Sequence, residues 1–194
     1  MPKVVDHNER RTRIAEALLR VAGEHGLEAV SLRHVAAEAG VTSGMVQHYF
    51  RTKDEMMVFA LEVVRERNEV RLTAAAAALG ADPSPRQLLR TIVAEVLPID
   101  EPRRADGRVA LAFLAYTAVR PEAAAPLRAD TAAMLTFVAD QIRAGGPRAG
   151  IDPDLAAVGL LALMEGLGVH LLGGHYGPET AYAALDAYLD TIFE

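Results

Sequence analysis

The spacing of the apolar residues is the feature that most restricts the fold. Apolar side chains recur every three or four residues along nearly all of the 194-residue chain, and no segment alternates apolar and polar residues convincingly as a strand does. Hydrophobic residues make up 51% of the chain, which is enough to bury a core. The pattern predicts an all-α protein of about nine helices.

Capping signals predict where these helices begin and end. Ser31 and Thr42 are the expected N-caps of two short helices, and Gly40 is expected to end the first of them. Two capping boxes, at residues 52–55 and 84–87, open later helices. Further helices are predicted at roughly 101–119, 121–144, 153–172 and 178–193. The chain has no internal repeat.

Composition and motifs exclude several classes of protein. The chain has no cysteine, so disulfides, thiolate zinc sites and cysteine nucleophiles are absent. It has no P-loop, dinucleotide fingerprint or nucleophile motif, so we expect no enzyme activity and no cofactor. Residues 1–6 lack the apolar stretch of a signal peptide, and no apolar run reaches the roughly 18 residues of a membrane span. We therefore expect a cytoplasmic protein without membrane association.

The main enzymatic alternative is a metal site. Glu165, His170 and His175 follow one another at a spacing of five. On a helix that spacing turns successive side chains about 140° apart, and Gly173-Gly174 interrupts the helix before His175. We therefore expect these side chains to diverge and to hold no metal. A third possible class of function is that of a helical adaptor protein that does not bind DNA.

Charge is unevenly distributed along the chain. The net charge is −6, which is unusual for a nucleic-acid-binding protein. Residues 1–54 nevertheless carry eight basic and seven acidic residues, so the acidity lies in the remainder of the chain. Charge alone does not predict DNA binding.

Segment 31–50 contains the most informative motif. Two short capped helices are joined by a tight turn at Gly40-Val41, which is the shape of a helix-turn-helix. Gly40 is expected to take a left-handed conformation there. The apolar residues that would fix the angle between the helices are Val35, Ala36, Val41, Val46 and Phe50.

The third helix, from Ser43 to about Tyr49, should present a polar outer face. That face carries Thr42, Ser43, Gly44, Gln47 and His48. Gln47 is long enough to reach a base edge, and adenine is the usual partner of a bidentate amide. Tyr49 and Lys53 lie at the far end, where phosphate contacts would set register. The spacing alone also fits an ordinary corner of a helical protein.

From about Arg10 to Ala60 the sequence resembles the tetracycline-repressor (TetR) family of bacterial regulators. The resemblance lies in residues 22–26, 31–36, 39–44 and 47–56, in order. It implies a DNA-binding transcriptional regulator, and repression rather than activation rests on this resemblance alone. The DNA contacts that it implies are Ser31, Arg33, Thr42, Ser43, Gly44, Met45, Gln47, His48, Tyr49 and Lys53.

Within that set the resemblance assigns different tasks. Ser31 and Arg33 would contact a phosphate or a base edge, and Met45 would touch a thymine methyl. Gln47 stands where many members have an aromatic residue, so the operator sequence does not follow by analogy. The family's basic N-terminal arm is modest here, with Lys3, Arg10, Arg11 and Arg13.

Residues 55–194 would form a second, helical domain after a DNA-binding domain at 1–54. Residues 160–167 and 184–189 are similar to the choline-sensing (BetI-like) branch of the family, which implies a homodimer and an effector pocket. Two-fold symmetry fits a pair of operator half-sites about 34 Å apart. The expected dimer contacts are Gly159, Ala162, Gly166, Ala181, Leu185 and Leu189, although the glycines would equally suit packing within one chain.

The effector pocket is the least defined part of this prediction. Its candidates are Phe113, Tyr116, Thr117, Met134, Phe137, Glu165 and His170, each of which would also suit an ordinary core. Glu165 is a carboxylate in an apolar run, where burial would require a partner: a cationic effector, or Arg or His within the dimer. A choline-like effector would need an aromatic cage, and a chain with no Trp and 5% aromatic residues supplies one poorly. We therefore do not predict choline.

Overall fold

The computed structural model describes residues 7–120 and 124–194, apart from the side chain of Pro126. Within this part of the chain the all-α prediction is confirmed, with nine α-helices, one 3₁₀ turn and no strand beyond an isolated bridge between Pro147 and Phe193. The helices are α1 (His7–His25), α2 (Leu32–Ala39), α3 (Ser43–Tyr49), α4 (Lys53–Ala78), α5 (Pro85–Val96), α6 (Glu101–Ala118), α7 (Ala125–Ala144), α8 (Pro153–Leu172) and α9 (Pro178–Ile192). The 3₁₀ turn is Leu27–Ala29.

Most of the predicted caps form as expected. The Ser31 hydroxyl accepts from the backbone N–H of His34, and the Ser84–Gln87 capping box has both of its hydrogen bonds. The box at 52–55 is only half formed, because the Glu55 carboxylate accepts from the N–H of Arg51 instead of Thr52. The helix predicted from 121 begins at Ala125, and residues 121–123 lie outside the described residues.

The described chain divides into two compact units. The first comprises residues 7–68 and 108–119, and the second comprises residues 69–107, 120 and 124–194. Helices α4 and α6 each have residues in both units. The domain boundary that the sequence suggests between residues 54 and 55 remains a prediction.

In the first unit, α1 to α4 and the C-terminal part of α6 share one apolar core. Ile14 and Leu18 of α1, Val46 of α3 and Phe50 are almost completely buried in it. Val109 and Phe113 of α6 belong to the same core. Burial of this kind contributes about 1.5–3 kcal/mol per large apolar side chain, so it fixes how the short helices α2 and α3 stand on α1.

In the second unit, α5, α7, α8 and α9 bury a separate core. Leu89, Ile142, Leu160 and Leu171 lie inside it. The stripe Ala181, Leu185 and Leu189 of α9, which we expected at a dimer interface, is also fully buried in this core. The expectation for these residues was wrong, because side chains without exposed surface cannot contact a second copy.

Helix α8 has the length and apolar composition of a membrane span, contrary to the sequence expectation. Its mean hydropathy is 1.9, and only 22% of the apolar window is buried inside the chain. Leu155, Val158 and Val169 are 70%, 51% and 42% exposed. Exposed apolar faces of this kind are typical of interaction surfaces.

Candidate nucleic-acid interface

The turn between α2 and α3 has the geometry of a helix-turn-helix. Gly40 adopts the left-handed conformation that the sequence predicts, with φ 65° and ψ 38°. Its N–H and that of Val41 return to carbonyl groups at the end of α2, which closes the turn. The Thr42 hydroxyl then accepts from the N–H of Met45 and starts α3.

Helix α3 is held in the core by one face and exposed on the other. Val46 and Phe50 have no exposed surface, and Val35 and Ala36 of α2 are buried beside them. Val41 is only half-buried. The predicted apolar wedge therefore forms, with Val41 at its edge.

The polar face predicted for α3 is solvent-exposed. Its exposed members are Thr42, Ser43, Gly44, Gln47 and His48. The amide of Gln47 is the longest uncharged polar group on this face. The seven-residue helix α3 thus presents a polar ridge on one side and buries Val46 on the other.

Ser31 and Arg33 lie at the start of α2. Ser31 is half-buried, and its hydroxyl oxygen caps the helix while its hydroxyl hydrogen stays available to a phosphate. Arg33 is exposed. Both positions are compatible with the phosphate or base-edge contact that we expect of them.

The remaining expected DNA contacts have partners within the chain. The Lys53 ammonium group donates to the Leu27 carbonyl at 2.8 Å and retains two further N–H donors for a phosphate. Tyr49 is half-buried, with its ring centroid 4.7 Å from that of His7 and 5.2 Å from that of His48. Met45 is half-buried, and its sulfur accepts from Arg10 at 3.5 Å.

Two basic residues that the motif does not identify brace this surface. Arg20 of α1 donates to Glu38 of α2 at 2.6 Å. The Arg11 guanidinium lies over the rings of Phe50 and Phe59, 5.0 and 4.3 Å from their centroids. The partners of Arg20 and Arg11 are 18 to 48 residues away in sequence, so no local pattern predicts the pairs.

The candidate effector residues are divided between the two units. Phe113 and Thr117 are buried in the first unit, where the Thr117 hydroxyl donates to the Phe113 carbonyl at 2.9 Å. Tyr116, on the same side of α6, donates its hydroxyl to Asp54 at the start of α4. These three residues thus connect α6 to α4 and to the core that α2 and α3 share.

The other effector candidates lie in the second unit and are exposed. Met134 and Phe137 of α7 are 37% and 42% exposed, and Glu165 and His170 of α8 are also exposed. Glu165 therefore does not carry the burial cost that we considered for it.

Two histidines near the end of α8 contradict the predicted divergence. The rings of His170 and His175 lie with centroids 5.0 Å apart, and the Tyr176 ring is 5.6 Å from that of His170. They converge because the chain turns back at Gly173-Gly174, where Gly174 has φ 69°. Among the described residues no group of three or more His, Cys, Asp or Glu side chains is placed to hold a metal.

Of the expected dimer residues, only two are open to a second copy. A Cβ atom at Gly159 would collide with the Tyr188 hydroxyl, so this glycine serves packing within the chain. Ala162 and Gly166 are exposed, and a Cβ at Gly166 would have no neighbour within 4 Å.

Two family models match the chain. Residues 14–58 match "Bacterial regulatory proteins, tetR family", and residues 85–194 match "BetI-type transcriptional repressor, C-terminal". The regulator PksA of Bacillus subtilis (strain 168) is 34% identical over 89% of this chain and 83% of its own. The regulator BetI of Stenotrophomonas maltophilia is 30% identical over 98% of this chain and 96% of its own.

Solved structures show the same fold. A transcriptional regulator from Rhodococcus sp. Rha1 has a TM-score of 0.84 and 35% identity, covering 94% of this chain and 95% of its own. A regulator from Saccharomonospora viridis, solved in complex with choline, has a TM-score of 0.83 and 24% identity, covering 96% and 99%. The second likeness bears on the fold alone.

Proposed function

Since the chain belongs to the tetracycline-repressor family, we propose that it is a homodimeric repressor that binds its operator through the polar face of α3 and leaves it when an effector binds. The protein is a DNA-binding transcriptional regulator of a family whose members are not enzymes. The observation that supports the α3 assignment is a capped, core-anchored helix with an exposed polar ridge. Because operator DNA lies in the cytoplasm of a bacterial cell, a cytoplasmic location is part of this proposal.

The residues divide into base-reading and phosphate-binding groups. We assign base contacts to the exposed Gln47 and to the half-buried Met45, two residues before it on α3. Ser31, Arg33 and Lys53 lie around the helix and suit phosphates, which set register rather than sequence preference. The contacts that complete the proposed set are Thr42, Ser43, Gly44, His48 and Tyr49.

The experiment is an anisotropy titration of labelled duplexes from the promoter beside the protein's own gene. Lys53→Ala should weaken binding to all duplexes similarly and reduce the salt slope by about one per half-site. Gln47→Ala should instead relax the preference at one base pair, costing about 1–3 kcal/mol there. The absence of salt-dependent, sequence-specific binding would contradict the proposal and favour an adaptor.

The dimer is proposed to form through the open faces of α8 and α9. Leu155, Val158, Ala162, Gly166 and Val169 recur at helical spacing and are all exposed, which explains why so apolar a helix is little buried in one chain. Their small central residues allow two helices to approach closely. On α9, the residues Thr180, Ala183 and Ala187 recur at helical spacing and are exposed. A four-helix interface of this kind accounts for the exposed apolar face of α8 without a membrane.

A charge introduced at Ala162 tests this interface. Ala162→Arg brings two like charges together near the two-fold axis, so sedimentation equilibrium should show monomers and operator affinity should fall steeply. Ala81→Arg is the matched control, because Ala81 is exposed in the loop before α5. A dimer of unchanged strength in Ala162→Arg would refute this interface while leaving the α3 assignment intact.

Effector release is proposed as a population shift transmitted by α4 and α6. Both helices have residues in the first unit, which contains α3, and in the second unit. The proposed effector contacts in the second unit are Met134, Phe137, Glu165 and His170. A movement of α6 would displace Phe113 in the core below α3, together with Tyr116 and Thr117. The distance between the two α3 helices of the dimer would then change.

This coupling is reciprocal, which makes it measurable. Operator DNA should weaken effector binding by the factor by which effector weakens operator binding. A metabolite screen for release of a fluorescent operator identifies the effector, and calorimetry with and without operator measures the factor. Equal effector affinity in both cases would refute the mechanism.

A further inference from the structure

A contact between α1 and α3 gives Arg10 a role that the helix-turn-helix motif does not assign. The Arg10 guanidinium donates through Nη1 to the sulfur of Met45 at 3.5 Å, and both side chains are half-buried. They line a cleft beside the turn, together with Arg13, Gly40, Val41 and Thr42. Thr42 is the N-cap of α3, the proposed DNA-reading helix, and Met45 lies in its first turn.

The core fixes the geometry of this contact. Ile14, one helical turn after Arg10 on the same face of α1, is 2% exposed. Val46, the residue after Met45, has no exposed surface and holds α3 in the same core. Because the core holds both helices in this way, it also fixes the distance that the Arg10 side chain must span to reach the Met45 sulfur.

Methionine needs such a constraint if it is to discriminate between bases. Its side chain has three rotatable bonds and adapts easily to different surroundings, so an unrestrained methionine is a poor reader of one base. A hydrogen bond to the sulfur removes part of this freedom and leaves the terminal methyl group in a restricted position. An apolar group held in the major groove distinguishes the thymine methyl from other base edges.

We propose that Arg10 is a positioning residue: it holds Met45 in one conformation on α3 and thereby sharpens the base preference of the protein without itself contacting a base. This role rests on the proposed function of α3. It differs from a phosphate contact, which a cation at the edge of a DNA-binding surface would otherwise suggest. The two roles predict different dependence on DNA sequence and on Met45.

The test uses the full chain and a set of duplexes in which each operator base pair is changed in turn. Arg10→Gln removes the charge and is too short to reach the sulfur, and Arg13→Gln is the matched control. Arg13 is an exposed cation in the same cleft, and its guanidinium is not the sulfur's donor. Met45→Leu and the double variant complete a thermodynamic cycle, and melting temperatures report on folding.

For Arg10→Gln we expect discrimination at one base pair to fall about fourfold per half-site, the factor that corresponds to one methyl contact. Met45→Leu should relax the same base pair, and adding Arg10→Gln to it should change the preference no further. Arg13→Gln should change affinity for all duplexes by one common factor.

Two results would overturn the positioning role. One is a uniform loss of affinity in Arg10→Gln, with a lower salt slope and unchanged preference, which identifies a phosphate contact. The other is that Arg10→Gln changes the base preference by the same amount in the wild-type protein and in the Met45→Leu variant. A wild-type protein that prefers no duplex is a separate outcome: it refutes the proposed DNA reading, and the role of Arg10 with it.

Discussion

Replacing Leu185 with alanine tests whether the apolar stripe of α9 is interior or interfacial. Leu185 has no exposed surface and lies in the core of the second unit. Removing the carbon atoms that distinguish leucine from alanine loses roughly 2.4 kcal/mol of transfer free energy at about 0.8 kcal/mol per methylene. The cavity left behind raises the expected loss in the free energy of unfolding to about 3–5 kcal/mol.

The assay is urea denaturation in the Ala162→Arg background, which we expect to be monomeric. Leu185→Ala should lower the midpoint with an unchanged slope, because the surface exposed on unfolding is nearly the same. Leu155→Ala is the control: this side chain is 70% exposed, so its loss should cost the monomer less than about 0.5 kcal/mol. An unchanged midpoint for Leu185→Ala in this monomeric background would refute the interior placement of the stripe.

Three further changes test local features of the fold. Gly40→Ala should lower the free energy of unfolding by about 1–2 kcal/mol, because alanine resists the left-handed conformation at φ 65°; urea denaturation with no change in midpoint would contradict this. Tyr116→Phe removes the hydrogen bond to Asp54 and should lower the melting temperature by about 2–4 °C, the shift that corresponds to about 1 kcal/mol. The hydrogen bonds from Arg90 lower the pKa of the Asp186 carboxyl, so this pair stabilises the fold above the ordinary aspartate pKa of about 3.9 and the stabilisation is lost as the pH falls through the lower folded value. Asp186→Asn should therefore have a lower melting temperature than the wild type at pH 6. The corresponding loss in the free energy of unfolding is at most about 1 kcal/mol for a half-exposed pair, and it should shrink below about pH 4.

Local chemistry explains what could be predicted of the DNA-binding surface. The caps at Ser31 and Thr42 join groups three residues apart, and the turn at Gly40 depends on one residue's freedom in φ. These interactions are complete within a few residues of sequence. The exposed polar face of α3 follows from them and from the burial of Val46, so the motif could be located before any coordinates were known.

The second unit shows where the sequence was insufficient. A helix such as α9 has one strongly apolar stripe, and the sequence marks that stripe without saying whether it faces the chain's own core or another copy. The structure places Leu185 in the core and leaves the smaller Ala183 open. Periodicity could not distinguish these cases, because burial lowers the free energy in the same way against either partner.

The sequence by itself determined the helices, their ends and the motif that presents α3, because these depend on hydrogen bonds and torsions between near neighbours. Only the tertiary structure decided the contact of Arg10 with Met45, the place of Phe113 beneath the DNA-binding helices and the convergence of His170 with His175. Such pairs are set by how rigid helices and turns pack in three dimensions. That packing depends on the shapes of whole faces, which no short stretch of sequence contains.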